Sequence, residues 1–249
     1  MRVVLLLGIA FAAAAPGTAQ TLSQKIDAVR DGHVRLSFTA RPGVCGDGEQ
    51  NISFHRPDRR SEWEGECRDG PVRLALDRAS GRTVALRAYV GGHWVEGGAT
   101  DLGMVPPAEA SAWLLALAER NEPASESAVF PATLADGVES WPALLRLARN
   151  SAVSDPTRRS AIFWLGQQAG DAATRGLDSI AQDQSGDREV RKAAVFALSQ
   201  RPAGEGIPAL IRIARNNHDP ALRKTALFWL GQSEDPAALA LFEEILSGP

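Results

Sequence analysis

Residues 219–232 read Asp219-Pro220-Ala221-Leu222-Arg223-Lys224-Thr225-Ala226-Leu227-Phe228-Trp229-Leu230-Gly231-Gln232, and the same pattern occurs twice earlier in the chain. One copy is Asp155-Pro156-Thr157-Arg158-Arg159-Ser160-Ala161-Ile162-Phe163-Trp164-Leu165-Gly166-Gln167. The other is Asp187-Arg188-Glu189-Val190-Arg191-Lys192-Ala193-Ala194-Val195-Phe196-Ala197-Leu198-Ser199-Gln200. From Arg158 to Arg191 is 33 residues, and from Arg191 to Arg223 is 32. A period in this range marks a stack of short supersecondary units, each hiding its apolar face against its neighbours.

Each copy has the marks of a helix. Asp155, Asp187 and Asp219 stand where an N-cap belongs, and Pro156 and Pro220 follow at the first helical position. Gly166, Gly170 and Gly231 stand where first helices should stop. A second helix follows each copy. Trp141 to Asn150 matches Ile207 to Asn216 two periods later, with 174–183 between them and 237–246 at the end of the chain. An earlier, degenerate copy holds Ala128-Val129-Phe130, with Pro131 where Trp164 later sits, so a straight helix is not expected there. Upstream, Trp113, Leu114, Leu117 and Ala118 have amphipathic spacing within a helix over 108–120.

Before residue 106 the period is two. Val34, Leu36 and Phe38 alternate with polar residues, as do Val72, Leu74 and Leu76, and then Val84, Leu86, Ala88 and Val90. The polar turn 77–82, with Gly81, makes the last two runs a hairpin. His93-Trp94-Val95 and residues 51–54 are expected as further short strands, and 24–29 as one or two helical turns. This small antiparallel β domain contains both cysteines, Cys45 and Cys67. One disulfide closing the segment between them is the simplest reading. A metal site with His55 and Asp47 is the alternative, and it lacks CxxC spacing.

The first residues have the form of a secretory signal: Arg2, an apolar run over 3–15, and Gly17-Thr18-Ala19 before the expected cleavage. The organisation expected is therefore a signal peptide at 1–19, a lead-in at 20–32, a β domain at 33–105 and helical repeats at 106–249. Such a chain would be periplasmic or secreted, with no membrane span after cleavage. A net charge of −3 and the lack of a basic stretch with interleaved aromatics speak against nucleic acid.

Two helices per ~33 residues, Asp-Pro opening the first helix in two copies, Arg three or four residues on, and Ala-x-x-x-Leu-Gly closing it together resemble HEAT repeats. The short bilin-lyase-like kind is the nearest in pattern, and the resemblance spans about 108–249. The wider arrangement looks like exported bacterial HEAT-repeat proteins of unknown function. The resemblance implies an α-α superhelix, so the whole chain would be α+β. It also implies that Arg158, Arg191 and Arg223 bond acidic or carbonyl groups at neighbouring helix ends, forming a structural ladder with Asp155, Asp187 and Asp219. Trp164, Trp229, Phe163, Phe196 and Phe228 fall to core or inter-repeat packing.

By the same resemblance the second helices line a concave face. Arg146, Arg149, Arg212 and Arg215 are then candidates to bind an acidic protein or peptide segment, against the plainer reading of a solvated helix face. Chemistry is hard to find. His33, His55, His93 and His218 are scattered, no HExxH, GxSxG or Walker loop occurs, and Asp47-Gly48-Glu49 reads as a plain turn. No cofactor or catalytic residue is expected. The reading is an exported, non-enzymatic protein-interaction scaffold whose β domain covers the first repeat, with Leu239, Phe242 and Ile245 packing the last helix on its neighbour. The alternatives are a self-associating envelope protein, or an enzyme with its site at the junction of the two parts.

Overall fold

The computed structural model describes residues 20–49, 51–54, 67–168 and 170–247. The signal-peptide segment, His55 and most of the loop between the cysteines lie outside these residues.

Helix α1 (Leu22–Asp27) opens with a capping box: Thr21 accepts from the Gln24 amide and the Gln24 side chain accepts from the Thr21 amide. Strand β1 (Gly32–Phe38) follows, then β2 (Val44–Gly46), β3 (Ile52–Phe54), β4 (Arg68–Asp69), β5 (Val72–Ala79), β6 (Arg82–Val90) and β7 (Thr100–Met104). β5 and β6 meet through Ser80 and Gly81, whose φ of 51° and 75° are both left-handed. That is the two-residue turn whose twist suits a hairpin.

The main sheet has the order β6-β5-β1-β7. It is antiparallel except for β7, which runs parallel to β1. Residues 93–95 form no strand, contrary to the sequence expectation. β6 lies at one edge and β7 at the other, so the segment between them has to cross the sheet, and pairing resumes only at Thr100. A second sheet has the order β3-β2-β4. Cys45 of β2 and Cys67, just before β4, form a disulfide across a separation of 22 residues. With both sulfurs bonded to each other, the alternative metal reading is overturned.

The apolar half of the alternation makes the core: Val34, Leu36, Phe38, Leu74 and Leu76 are buried. This core runs without a break into the helices. Backbone bonds cross the same junction. The Val105 amide donates to Ser37, Arg41 to Leu134 and Asp136 to Thr39, while Ala40 and Ala135 form a bridge. The Thr83 amide donates to the Glu122 carboxylate at 2.6 Å.

Among the described residues nine α-helices follow: α2 (Pro107–Glu119), α3 (Ser125–Ala132), α4 (Trp141–Arg149), α5 (Asp155–Gly166), α6 (Asp171–Gln182), α7 (Arg188–Ser199), α8 (Ile207–Asn216), α9 (Pro220–Gly231) and α10 (Pro236–Ser247). α3 contains Pro131 and ends one residue later, because proline cannot carry the helix bonding pattern further. α3, α5, α7 and α9 pack side by side as one layer, and α2, α4, α6, α8 and α10 form the second.

The repeat explains the packing. Ala161, Ala194 and Ala226 occupy one buried column, and Leu165, Leu198 and Leu230 another, one helical turn on. Small residues set the approach: a Cβ on Gly206 would lie 1.9 Å from the Leu198 carbonyl oxygen, so only glycine fits there. The last helix departs from expectation. Ala238 and Leu241 are its buried residues and Phe242 is half-buried, whereas Leu239 and Ile245 are more than half exposed. α10 is apolar on almost every side, so its sequence does not choose a face.

Candidate functional site

Arg158, Arg191 and Arg223 lie in the first turns of α5, α7 and α9, and of the three Arg191 reaches the next repeat. The buried Arg158 guanidinium donates to Asp155 one turn earlier. Arg191, also buried, donates to Asn217 Oδ1 at 3.3 Å and to the Ala181 carbonyl at 3.4 Å, and lies 3.8 Å from Asp219 of the next repeat. Arg223 donates to the carbonyls of Asn217 (2.7 Å) and His218 (3.4 Å). Asp187 caps α7 by accepting from the amides of Glu189 and Val190, and Asp219 caps α9 by accepting from Ala221.

Those amide bonds, and then nearby arginines, hold both cap carboxyls below the usual carboxylate range. Arg158 and Arg159 are the arginines beside Asp187, and Arg188 and Arg191 those beside Asp219. Asp155 differs. Ser154 is the N-cap of α5, and the Asp155 carboxylate is drawn to Arg158 rather than to helix amides.

Two buried groups without a repeat counterpart reinforce the joints. Asn217 donates to the Ala181 carbonyl while its own oxygen accepts from Arg191 and from the Asp219 amide. Arg201 donates to the carbonyls of Gly166, Gln168 and Gly170, to Thr174 and to Glu205. It thereby satisfies the orphan carbonyls after α5. No motif announces either residue.

On the second helices the structure does not gather the four candidate arginines into one pocket. Arg149 donates to Ser179 at 2.6 Å, Arg212 pairs with Asp178 at 2.8 Å and Arg215 pairs with Glu244. Each links its helix to a neighbouring one in the layer, Arg149 and Arg215 to the following helix and Arg212 to the preceding one. Arg146 is exposed and forms no hydrogen bond or ion pair among the described residues. A crevice of about 30 Å³ beside Arg149 is lined by Arg158, Asp183, Asp187 and Arg191 and is too small for a side chain.

The first helices present a different surface. Phe163 and Phe228 are 40% and 57% exposed, and Trp164, Phe196 and Trp229 are half-buried. Of the aromatics assigned to core or inter-repeat packing by sequence, Trp164 and Trp229 pack against the core, whereas Phe163 and Phe228 stand largely outside it. Trp164 does stack on Phe130 of the preceding repeat at 4.3 Å, and Trp229 lies 5.1 Å from Phe196. Phe54, from the tip of β3, stands 6.5 Å from both Phe130 and Trp164.

A third surface is the outer face of the main sheet, which carries the polar half of the alternation. Arg73 donates to the carbonyls of Gly48, Gly91 and His93 at 2.6–2.7 Å, and its guanidinium lies over Tyr89 and Trp94. Burial lowers its pKa. The neighbouring cleft of about 680 Å³ is lined by Glu49, Asn51, Tyr89, His93, Trp94 and Val95 among others. Beside it Asp77 bonds His33 (2.8 Å) and Arg87 (3.1 Å). Burial pushes its carboxyl up, but those partners outweigh it and hold the pKa low. Arg73 has three of its N–H groups on backbone carbonyls, so it fastens the crossing segment rather than offering a free charge.

No group of three metal-binding side chains occurs among the described residues, and Asp47 accepts from the Glu49 amide and Asn51 in a turn. No described helix is long and apolar enough to cross a membrane. Among curated proteins no match to the chain is found. A family model described as HEAT repeats matches residues 177–249, from the middle of α6 to the end of α10. HEAT repeats generally mediate protein–protein interaction and are typically non-enzymatic scaffolds. The two-layer stacking continues upstream of that match to α2, so the packing of the matched segment, which is similar to HEAT repeats, extends over the helices before it.

Proposed function

We propose that this chain is an exported scaffold that binds a protein or peptide partner along its helical stack, with the β region closing the stack's first end. The observation that carries this reading is the alignment of exposed side chains into columns across successive repeats. A stack whose units touch only their neighbours presents a long surface on which a partner is read repeat by repeat. The disulfide supports an oxidising compartment, periplasmic or extracellular. The backbone bonds from Thr39, Arg41 and Ser37 to the first helical segment support a β region that covers the stack rather than swinging free.

The test is capture in the native envelope. The tagged full chain is crosslinked briefly and its bound proteins are identified by mass spectrometry, with a variant carrying Arg146→Glu, Arg149→Glu, Arg212→Glu and Arg215→Glu run beside it. One reproducible partner is the expected result. Loss of that partner in the variant places it on the second helices. No enrichment above control would sink the scaffold reading.

A second reading has its own observation. α10 exposes Leu239, Ile245 and Leu246 at 56%, 53% and 85%. Apolar side chains grouped in this way favour association with another copy. A molar mass that rises with concentration in sedimentation experiments would favour self-association over a separate partner.

A further inference from the structure

We propose that the outward face of the first helices is a docking groove for an extended, polyproline-II-like peptide segment carrying an acidic side chain at every third position with apolar ones between. This deepens the scaffold reading and rests on it.

Three columns define the groove. Arg159, Lys192 and Lys224 form the first, Phe163, Phe196 and Phe228 the second, and Gln167, Gln200 and Gln232 the third. Within each helix the three residues are four apart, so they lie on one face in the order cation, phenylalanine, glutamine. The same order recurs on α5, α7 and α9. These columns run beside the buried Ala and Leu columns and do not share their burial. Phe163 and Phe228 keep 40% and 57% of their surface exposed. Trp164 and Trp229 widen the apolar strip, and Phe54 carries it to the sheet edge. Repeated exposure of large aromatic side chains on one face marks an interaction surface.

The borders indicate the partner's chemistry. Lys224 forms no ion pair among the described residues, Arg159 stands beside the Asp187 carboxylate without closing an ion pair, and Lys192 pairs with Glu189, one turn away on its own helix. The nearby carboxylate of Asp187 is already committed to helix amides, and that of Asp219 to a helix amide and to Arg188. A positive edge beside an aromatic strip selects acidic next to apolar side chains. The glutamine edge offers amide donors and acceptors suited to a peptide backbone.

Spacing selects the conformation. Neighbouring helices pack about 8–10 Å apart. A polyproline-II strand advances about 9 Å per three-residue turn, with every third side chain on the same side. One turn of such a strand therefore meets one repeat. An acidic residue every third position would meet Arg159, Lys192 and Lys224 in succession.

The probe is a fluorescein-labelled peptide of four Glu-Leu-Pro triplets, titrated with the full mature chain and followed by anisotropy. Saturable binding is expected, weakened at least tenfold in the Phe163→Ser/Phe228→Ser variant and again in Arg159→Glu/Lys192→Glu/Lys224→Glu. Added salt weakens it, and a Lys-Leu-Pro peptide fails to bind. The substituted side chains are exposed or half-exposed, and an unchanged circular-dichroism melt confirms that each variant folds. The inference is overturned if Glu-Leu-Pro does not bind, if Lys-Leu-Pro binds equally, or if neither variant weakens binding. Envelope capture separates its failure from that of the scaffold reading. A partner kept by the first-helix variants and lost by the second-helix arginine variant refutes the groove alone. No partner at all refutes both.

Discussion

The β region and the helical stack are fastened in different patterns. In the β region the fastenings tie together segments that are not copies of one another. Arg78 ties the Asp27 carboxylate and the Val29 carbonyl of the lead-in to Thr83 and Gly81 of the hairpin, Arg73 fastens the crossing segment, and the disulfide closes the second sheet. In the stack every bond of Arg191, Arg201, Arg212 and Asn217 reaches no further than the adjoining repeat. Damage to the first region should therefore be felt throughout it, and damage to the second should stay at one joint and divide the stack there.

The largest local effect is expected at Arg201. Its side chain is fully buried, and Arg201→Ala leaves three carbonyls and the Glu205 carboxylate without their donor. Losing a buried charged partner of this kind costs about 3–5 kcal/mol. Urea unfolding should lose its single transition, and hydrogen exchange should accelerate around the α5–α6 joint while β1 and β5 stay protected. Uniform loss of protection would break the contrast between the two regions.

Next in size is the disulfide. Cys45→Ser with Cys67→Ser frees a 22-residue loop, worth about 3 kcal/mol in chain entropy. Exchange should quicken in β2, β3 and β4 and through the sheet region, with α7 to α10 unchanged. A stack that melts together with the sheet would show that the β region supports the repeats as well as covering their first end.

The difference between the regions also decides what could be read without coordinates. The repeats were legible because a column such as Ala161, Ala194 and Ala226 states its own period, and the hairpin because its alternation brackets Ser80 and Gly81. The buried face of α2 followed from spacing alone: Trp113, Leu114, Leu117 and Ala118 are all buried. The parallel β7 was not legible, since pairing across a crossover depends on sheet order rather than on local pattern. Arg73, Arg78 and Arg201 were invisible for a related reason. Their partners are mostly backbone carbonyls, which every residue possesses. The second-helix arginines were visible as a pair of pairs, but Ser179, Asp178 and Glu244, which occupy three of them, have no matching repeat. Phe196 packs on Trp229 of the next repeat, but the exposure of Phe163 and Phe228 was not legible, because an aromatic beside a core position looks the same whether it turns inward or outward.

A smaller, pH-dependent effect should separate the caps from the packing. The Asp219 carboxyl lies below its ordinary value because the Ala221 amide, and then Arg188 and Arg191, favour its charged form. A depressed folded pKa stabilises the fold above the unfolded value of about 3.9 and is lost as the pH falls through the folded value. Asp219→Ala should lower Tm at pH 7, and the gap from the parent should close as the pH falls below about 4. A gap that persists at pH 2.5 would assign the loss to packing rather than to the carboxylate.

The smallest stability effect is expected where the binding effect should be greatest. Phe228→Ser removes a side chain that is 57% exposed and touches Trp229 edge-on at 5.0 Å. Its cost to folding should stay under about 1 kcal/mol. Phe163, at 40% exposure with the same edge contact to Trp164, should behave alike. A residue that contributes this little to the fold, yet recurs at the same place on α5, α7 and α9, requires another explanation, and a bound peptide supplies one. Thermal melts of the two single variants decide the matter independently of any ligand. Near-parental melting leaves the column free to serve recognition. A loss of several kcal/mol would return both phenylalanines to the packing role that their place in the repeat first suggested.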